Sequence, residues 1–285
     1  MKYVFGKQDL RSLDRAQENC FLLTNGLGGY VSVTAGYSVP RCDQGMLVAA
    51  VKAPNERIAL VHRISEKLRI GGREVWLSSQ GFADKTPAED GYRHLASFSY
   101  EYIPCWTYNV SGVQVTRRCA LVYGKNTAAV LYTIENRSGE SCTLEAVPYL
   151  KFAPKEQAVT RKKKFAYKDG RIRSGKYTMY ITTDAAIEEI PEIWQKLAYP
   201  EDKKDGRPAK GLSCACCKAS LSVQPGETVE MTMVFSTEKK TPDGKTILAE
   251  QAARLEKLEA AAPFADPMAR QLAISADAYI AHRDS

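Results

Sequence analysis

Three cysteines lie close together toward the end of the chain, at Cys214, Cys216 and Cys217. Thiolates bind zinc, but a zinc site usually joins one Cys-x-x-Cys pair to a second such pair or to histidines. The sequence contains no partner pair, and its three histidines are scattered. We therefore interpret the cysteines as part of a buried or partly exposed strand, and we expect no metal or other cofactor.

Paired carboxylates could act as a general acid and a general base if the fold held them at a fixed separation. The candidates are Glu101, Glu135, Asp184, Glu188, Glu189 and Asp202. None stands in a recognisable catalytic setting, and most carboxylates on strands and helices are solvated. The sequence therefore predicts no catalytic residue within this chain.

Basic side chains are concentrated in one stretch of a chain whose formal net charge is +7. They are Arg161, Lys162, Lys163, Lys164, Lys168, Arg171, Arg173 and Lys176. Lysines commonly protect an exposed strand edge, so a solvated hairpin at a sheet edge is the favoured interpretation. An anionic partner is the alternative. Binding of single-stranded nucleic acid would need interleaved aromatic rings, which only Phe165, Tyr167 and Tyr177 offer, so we expect no nucleic-acid partner.

No apolar run approaches the roughly 20 residues of a membrane span, and the first residues lack the apolar core of a signal peptide. We therefore expect a cytoplasmic protein with no membrane partner and with reduced cysteines. Cys20, Cys119 and Cys142 adjoin apolar residues, which predicts small buried side chains.

Most of the chain from Cys20 to Phe235 consists of short runs rich in β-branched and aromatic residues, which predict strands. The clearest runs are 47–53, 57–64, 128–136, 143–150, 176–183 and 229–236. Turn signals stand at Gly71-Gly72, Lys168-Asp169-Gly170, Pro225-Gly226 and Asp243-Gly244. Since long helical patterns do not alternate with the strands, the sequence predicts an all-β fold of two packed antiparallel sheets.

Two stretches depart from the strand pattern. Residues 185–202 predict a short helical insertion interrupted at Pro191, with Ile190, Ile193, Trp194 and Leu197 turned inward. The alanine-rich tail predicts a helix with Leu248, Ala252, Leu255 and Leu258 on one face, then a break at Pro263 and Pro267. A second amphipathic helix follows, and its apolar residues Leu272, Ile274, Tyr279 and Ile280 require a packing partner.

A set of short motifs resembles one family in order and spacing. The segment Thr24–Tyr30 reads TNGLGGY, whose glycine spacing does not fit a dinucleotide-binding loop. It resembles the opening of the amino-terminal domain of bacterial and archaeal glycogen-debranching amylo-α-1,6-glucosidases. Further similar segments are 40–50, 94–98, 104–108 and 275–280. Asp43 and Gln44 stand where that family often has tyrosine and histidine.

The resemblance implies an antiparallel β-supersandwich, of the glucoamylase amino-terminal or galactose-mutarotase type, over residues 1–240. Residues 241–285 would then form a helical linker into an α/α-toroid catalytic domain that is absent here. The intact enzyme would hydrolyse α-1,6-glucosidic bonds with carboxylates of the toroid. The implied partners are an α-glucan, such as glycogen or a branched maltodextrin, and the toroid. The alternative is a free-standing carbohydrate-binding or assembly module without catalysis.

Sugar recognition joins an aromatic ring, which stacks on the apolar face of the sugar, to planar polar groups that bind its hydroxyls. The candidate substrate-binding residues are Asn25, Tyr30, Arg41, Gln44, Trp106 and Tyr108. Structural roles remain open for three of them, because Trp106 and Tyr108 could anchor the core and Asn25 could cap a turn. The glycine-rich segment could also serve a domain interface.

Overall fold

The computed structural model describes residues 2–283, which form strands joined mostly by short turns. In chain order the strands are β1 (Tyr3–Gly6), β2 (Leu23–Thr24), β3 (Tyr30–Ser32), β4 (Gly45–Lys52), β5 (Glu56–Ile70), β6 (Arg73–Trp76), β7 (Ser79–Gln80), β8 (Glu89–Asp90), β9 (Leu95–Tyr100), β10 (Cys105–Val110), β11 (Val113–Leu121), β12 (Thr127–Asn136), β13 (Cys142–Pro154), β14 (Ala166–Lys168), β15 (Arg171–Ser174), β16 (Tyr177–Thr183), β17 (Ala186–Ala198), β18 (Lys210–Val223) and β19 (Thr228–Ser236). The helices are α1 (Leu13–Glu18), α2 (Pro200–Lys204), α3 (Gly244–Ala261) and α4 (Pro267–Asp277).

Two large sheets carry the fold. One contains nine strands in the order β1-β9-β10-β11-β12-β19-β16-β15-β14. The other has eight strands, ordered β17-β18-β13-β5-β4-β3-β2, with β6 paired to β5. All pairings between the strands are antiparallel, and β7 and β8 form a small separate hairpin. The predicted strands and the all-antiparallel arrangement are confirmed.

The two sheets pack face to face because each presents an apolar face at every second residue. Val115 and Cys119 of β11 are buried in the same cluster as Leu68 of β5 and Leu144 of β13. One apolar core therefore joins the nine-stranded and the eight-stranded sheet. This arrangement confirms the predicted antiparallel supersandwich.

The predicted helical tail is also confirmed, as two helices separated at Pro263 and Pro267. Helix α3 covers the outer face of the nine-stranded sheet, where Ile247 and Leu248 are buried against Ala129 and Val234. The carboxylate of Asp243 caps α3 by accepting a hydrogen bond from the Thr246 amide. The predicted turn at Asp243-Gly244 is therefore a helix start. Among residues 2–283, no helix combines the length and the apolar character of a membrane span.

The helical insertion predicted over residues 185–202 is wrong. Residues Ala186–Ala198 form β17, the outermost strand of the eight-stranded sheet, and only Pro200–Lys204 is helical. Pro191 lies where the pairing with β18 shifts between Glu189 and Ile193. A proline is tolerated there because an edge strand has one side without ladder hydrogen bonds.

The basic stretch, residues 161–176, includes the hairpin of β14 and β15 at one edge of the nine-stranded sheet. This confirms the prediction of a charged hairpin at a sheet edge. Strand β14 is the last strand of the nine-stranded sheet. Arg171 and Arg173 are exposed, whereas Ile172 is buried. All eight cysteines are free, and Cys119 and Cys142 are buried as predicted. The prediction for Cys20 is wrong, because this side chain is exposed beside the first residues of the sandwich.

Candidate functional site

The glycine loop, residues 24–30, is the turn between β2 and β3, and Asn25 holds it together. The Asn25 side-chain oxygen accepts hydrogen bonds from the amides of Leu27 and Gly29, at 3.0 and 2.9 Å. Its side-chain nitrogen donates to the Lys125 carbonyl at 2.9 Å and to Asn126 at 3.0 Å. Asn25 is fully buried. Its polar atoms therefore stabilise the turn and bind a neighbouring turn, and they are not directed toward solvent.

The glycines of this loop allow the backbone to approach its neighbours. Gly28 has φ +92°, and a Cβ atom added there would lie 2.6 Å from the Pro54 carbonyl oxygen. Both the positive φ and the close contact exclude a side chain. The motif thus serves close packing between the glycine loop and the turn that joins β4 to β5.

The first prediction tests this packing role. Replacing Gly28 with alanine should lower the free energy of unfolding by about 2–4 kcal/mol, from backbone strain and overpacking together. Gly72→Ala is the matched control, since Gly72 also has positive φ (+70°) but has no atom within 4 Å of the added Cβ. Urea titrations of both variants make the comparison. Equal losses for Gly28→Ala and Gly72→Ala would contradict the close-packing role.

Tyr30, Arg41 and Gln44 come together around the Arg41 loop, residues 40–44, which leads into β4. The Tyr30 hydroxyl donates to the Asp43 carbonyl at 2.5 Å, and the Gln44 side chain accepts from the Arg41 amide at 3.2 Å. Burial raises the pKa of Tyr30 well above its usual range, and Asp43 adds to this effect. Gln44 is buried, whereas the Arg41 side chain is one-third exposed, at 33%. Arg41 is therefore the most accessible of the three.

Charged residues surround the exposed part of this loop. The Arg41 guanidinium pairs with Asp205 and lies 3.5 Å from the carboxylate of Asp202. Arg207 lies 3.5 Å from Asp43 and 3.7 Å from Asp202. Two guanidinium groups and the carboxylates of Asp43 and Asp205 thus meet at one place on the surface, next to the buried carboxylate of Asp202. They offer the planar donors and acceptors that sugar hydroxyls bind.

Buried polar groups support the loop from below. Asp202 accepts a hydrogen bond from the Cys42 amide at 2.7 Å, and the Lys151 ammonium donates to the Cys42 carbonyl at 2.8 Å. The His62 ring is fully buried, 5.9 Å from the Tyr199 ring. Burial depresses the pKa of His62 far below its usual range, and the nearby Lys151 acts in the same direction. His62 is therefore uncharged at neutral pH, and the loop packs on buried side chains.

Trp106 and Tyr108 lie elsewhere, on the inner face of β10. Both side chains have 0% exposure. The Trp106 indole donates to the Ala35 carbonyl at 2.9 Å and packs with Phe98 and Tyr37, at ring-centroid distances of 5.0 and 5.2 Å. A ring enclosed in this way has no free face for a sugar, so the structure places both residues in the core. Trp106 and Tyr108 thus have the role of core anchors, and Asn25 has the role of holding a turn.

A buried ion pair that the sequence analysis did not predict lies at the centre of the sandwich. Arg117 of β11 donates to Glu66 of β5 at 2.7 Å, and the Tyr132 hydroxyl donates to the other Glu66 oxygen at 2.6 Å. Arg117 also donates to the Tyr108 hydroxyl at 3.0 Å and lies over the Tyr37 ring. Burial raises the pKa of Glu66, while Arg117 and Tyr132 oppose that rise. This network joins the two sheets.

A signal for this pair is present in the sequence. Arg117 shares its strand parity with Val113, Val115 and Cys119, which are all buried. Glu66 likewise shares its strand parity with Ile64 and Leu68 of β5, which are both buried. Opposite charges on two inward-facing stripes indicate a buried pair, because an unpaired charge there would be costly.

The three clustered cysteines are buried in a strand, and several of the carboxylates considered in the sequence analysis are bound to neighbouring protein groups. Cys214, Cys216 and Cys217 are buried in β18, and burial raises the pKa of Cys214 to about 12. Among residues 2–283, no three His, Cys, Asp or Glu side chains are grouped as a metal site would require. Asp184 accepts from the Thr232 amide at 2.7 Å, and Glu188 pairs with Lys218 at 3.0 Å.

Comparisons with solved structures find distant likeness. A protein assigned as a kojibiose phosphorylase, from the human microbiome, has 9% identity and a TM-score of 0.39, over 97% of this chain and 37% of its own. A bacterial glucoamylase complexed with acarbose has 9% identity and a TM-score of 0.35, over 92% of this chain and 36% of its own. An assigned aldose 1-epimerase from Escherichia coli K12 has 12% identity and a TM-score of 0.39, over 76% of this chain and 98% of its own.

The chain thus spans little more than a third of the phosphorylase and of the glucoamylase. A search of curated protein sequences finds no significant match. The family described as "Glycogen debranching enzyme N terminal" matches residues 19–230, which include the glycine loop, the Arg41 loop and the strands from β2 to β18. Since this match covers well over half of the sequence, the chain belongs to the glycogen debranching enzyme amino-terminal family.

Proposed function

We propose that this chain is the non-catalytic amino-terminal domain of a glycogen-debranching glycoside hydrolase, where it supports glycan binding and packs on the catalytic domain. The family match over residues 19–230 carries this proposal. In the intact enzyme the reaction is hydrolysis of α-1,6-glucosidic bonds. The acid and base for that reaction belong to the catalytic domain.

The glycan-binding part of the proposal centres on Arg41 and Tyr30. These two are partly exposed, whereas Asn25, Gln44, Trp106 and Tyr108 are buried. The buried residues then act indirectly, by holding the glycine loop, the Arg41 loop and the core in place. Arg41 and Arg207 present donors beside the carboxylates of Asp43 and Asp205. Such a set suits the hydroxyls of an α-glucan, which both donate and accept hydrogen bonds.

The domain-packing part rests on helix α4. Its inner side is held to α3, because Ile274 is buried and Arg254 donates twice to Asp277 at 2.8 Å. Its outer side exposes large apolar side chains, with Leu272 at 62% and Tyr279, just beyond the helix, at 88%. Exposed apolar groups in a cluster favour a packing partner. This favours a domain interface over the alternative of a free-standing carbohydrate-binding or assembly module.

Calorimetric titration with a branched, unmodified maltodextrin, run beside an assay for released glucose, tests the proposal. We expect binding without glucose release. Release of glucose by the purified chain would overturn the non-catalytic assignment. Absence of binding would remove the glycan-holding role.

Variants locate the binding surface. Arg41→Ala should weaken maltodextrin affinity about tenfold, the effect of losing a charge-assisted hydrogen bond. Arg69→Ala is the control, because Arg69 is about half exposed, at 49%, and lies on the distant end of β5. Thermal unfolding of both variants verifies the fold. Unchanged affinity of folded Arg41→Ala would exclude the Arg41 loop as the contact.

A further inference from the structure

The positive charge of the chain resides in one segment, residues 161–176, which we name the basic hairpin. It contains eight cationic side chains and one carboxylate, whereas the other 269 residues contain 32 of each sign. The whole excess of +7 therefore belongs to the basic hairpin. A charge distribution of this kind attracts anions to one place on the surface.

The register of the strands brings the cations together. Lys168 of β14 pairs with Arg171 of β15, and Arg171 pairs with Tyr180 of β16. Directly opposed residues of antiparallel strands have Cβ atoms about 4.5–5.5 Å apart, and like charges so placed repel each other. An anionic ligand bound beside Lys168 and Arg171 would relieve this repulsion.

Protein carboxylates leave these cations largely uncompensated. Within the described chain, the basic hairpin forms ion pairs at Lys164 with Glu192 and at Lys176 with Glu56, at 3.6 and 3.9 Å. Both lysines are highly exposed, so these pairs contribute little. In residues 2–283, neither Lys168 nor Arg171 forms an ion pair.

A concave surface adjoins this pair and encloses a volume of about 440 Å³. Its lining includes Lys168, Arg171, Lys239, Tyr180 and Thr182, with Asp169 as its one carboxylate. Three cations with a hydroxyl suit a phosphate group, since arginine binds phosphate through two parallel hydrogen bonds and lysine adds a point charge. The partly exposed ring of Tyr180 offers an apolar face of the kind that stacks on a sugar.

We propose that this concave surface binds a phosphate monoester carried by an α-glucan. The glucan in this inference rests on the proposed function, whereas the phosphate site rests on the hairpin. A strand of nucleic acid is less suited, because Phe165 is buried against Phe152 and Trp194, which leaves only Tyr167 and Tyr177 of the hairpin rings partly exposed for stacking on bases.

Calorimetry with the full chain tests the site. The probes are a phosphorylated maltodextrin, the same dextrin after phosphatase treatment, and glucose 6-phosphate. We expect the phosphorylated dextrin to bind at least about tenfold more tightly than the treated one, as charge-assisted hydrogen bonds to phosphate require. The double substitution Lys168→Glu with Arg171→Glu should abolish this preference and the binding of glucose 6-phosphate. Both residues are exposed, so we expect the variant to fold, which circular dichroism verifies.

The control is Arg161→Glu with Lys162→Glu, which changes the net charge equally at exposed positions that do not line the concave surface. It should retain the preference. Equal losses in both double variants would overturn the site and indicate general attraction of anions. Tighter binding of a single-stranded oligonucleotide than of the phosphorylated dextrin would also overturn it.

The outcomes separate this inference from the proposed function. Equal binding of both dextrins would reject the phosphate site and leave the glycan-holding role intact. Binding of the phosphorylated dextrin and glucose 6-phosphate alone, lost in the Lys168 and Arg171 variant, would support the phosphate site and reject binding of neutral glucan.

Discussion

Replacing Glu66 with glutamine should lower the free energy of unfolding by about 3–5 kcal/mol, the cost of leaving one member of a buried ion pair without its partner. The substitution keeps the shape of the side chain but removes the charge that Arg117 requires. Arg117 and Glu66 are at most 1% exposed, so water cannot replace the lost carboxylate. Urea unfolding, followed by circular dichroism, measures the loss.

Two further variants identify the cause. The double variant Glu66→Leu with Arg117→Met removes both charges and should recover most of the stability lost in Glu66→Gln. Glu74→Gln breaks an exposed pair with Lys67 and should leave the unfolding midpoint unchanged within error. If the double variant were no more stable than Glu66→Gln, packing or the tyrosine hydrogen bonds, and not the ion pair, would account for the effect.

The strands were predictable from sequence because their signals are local. β-Branched and aromatic runs mark them, and glycines with positive φ, such as Gly72, Gly170 and Gly226, mark three of the predicted turns. The sequence predicts a helical insertion over residues 185–202, where the structure has β17, because Pro191 and a shifted register disturb the alternation of this edge strand. Edge strands bury little of either face, so their period is weak.

The candidate site was predictable only in part. Tyr30, Arg41 and Gln44 meet because the chain turns within 15 residues, which a motif can indicate. Asp202 and Arg207 lie about 160 positions further along the chain, between β17 and β18, and contact Arg41 and Asp43 only in the folded protein. No local pattern encodes that contact, so the charged surroundings of Arg41 appear only in the folded chain.

The location of the aromatic side chains follows from strand parity. In β10, Trp106, Tyr108 and Val110 share one face and are buried, whereas Thr107 and Asn109 face away. Side chains two apart lie on the same face of a strand. The apolar face of β10 therefore identifies its aromatic residues as core residues, which is the structural role that the sequence left open for Trp106 and Tyr108.

Replacing Trp106 with alanine should accordingly lower the free energy of unfolding by about 3–5 kcal/mol, through lost burial and the cavity that remains. The indole hydrogen bond to the Ala35 carbonyl is lost as well. At a temperature where the variant is fully folded, its affinity for maltodextrin should equal that of the parent chain. The control Trp76→Ala should be milder, because Trp76 is only partly buried beneath the Lys67 ammonium.

Stability and affinity together separate the two roles of Trp106. A ring that stacks on sugar contributes to affinity and little to stability, whereas an enclosed ring does the reverse. Phe98 and Tyr37 contact Trp106 on the side of the core. A folded Trp106→Ala variant that lost glucan affinity without losing stability would therefore contradict the core assignment. It would return Trp106 to the binding surface.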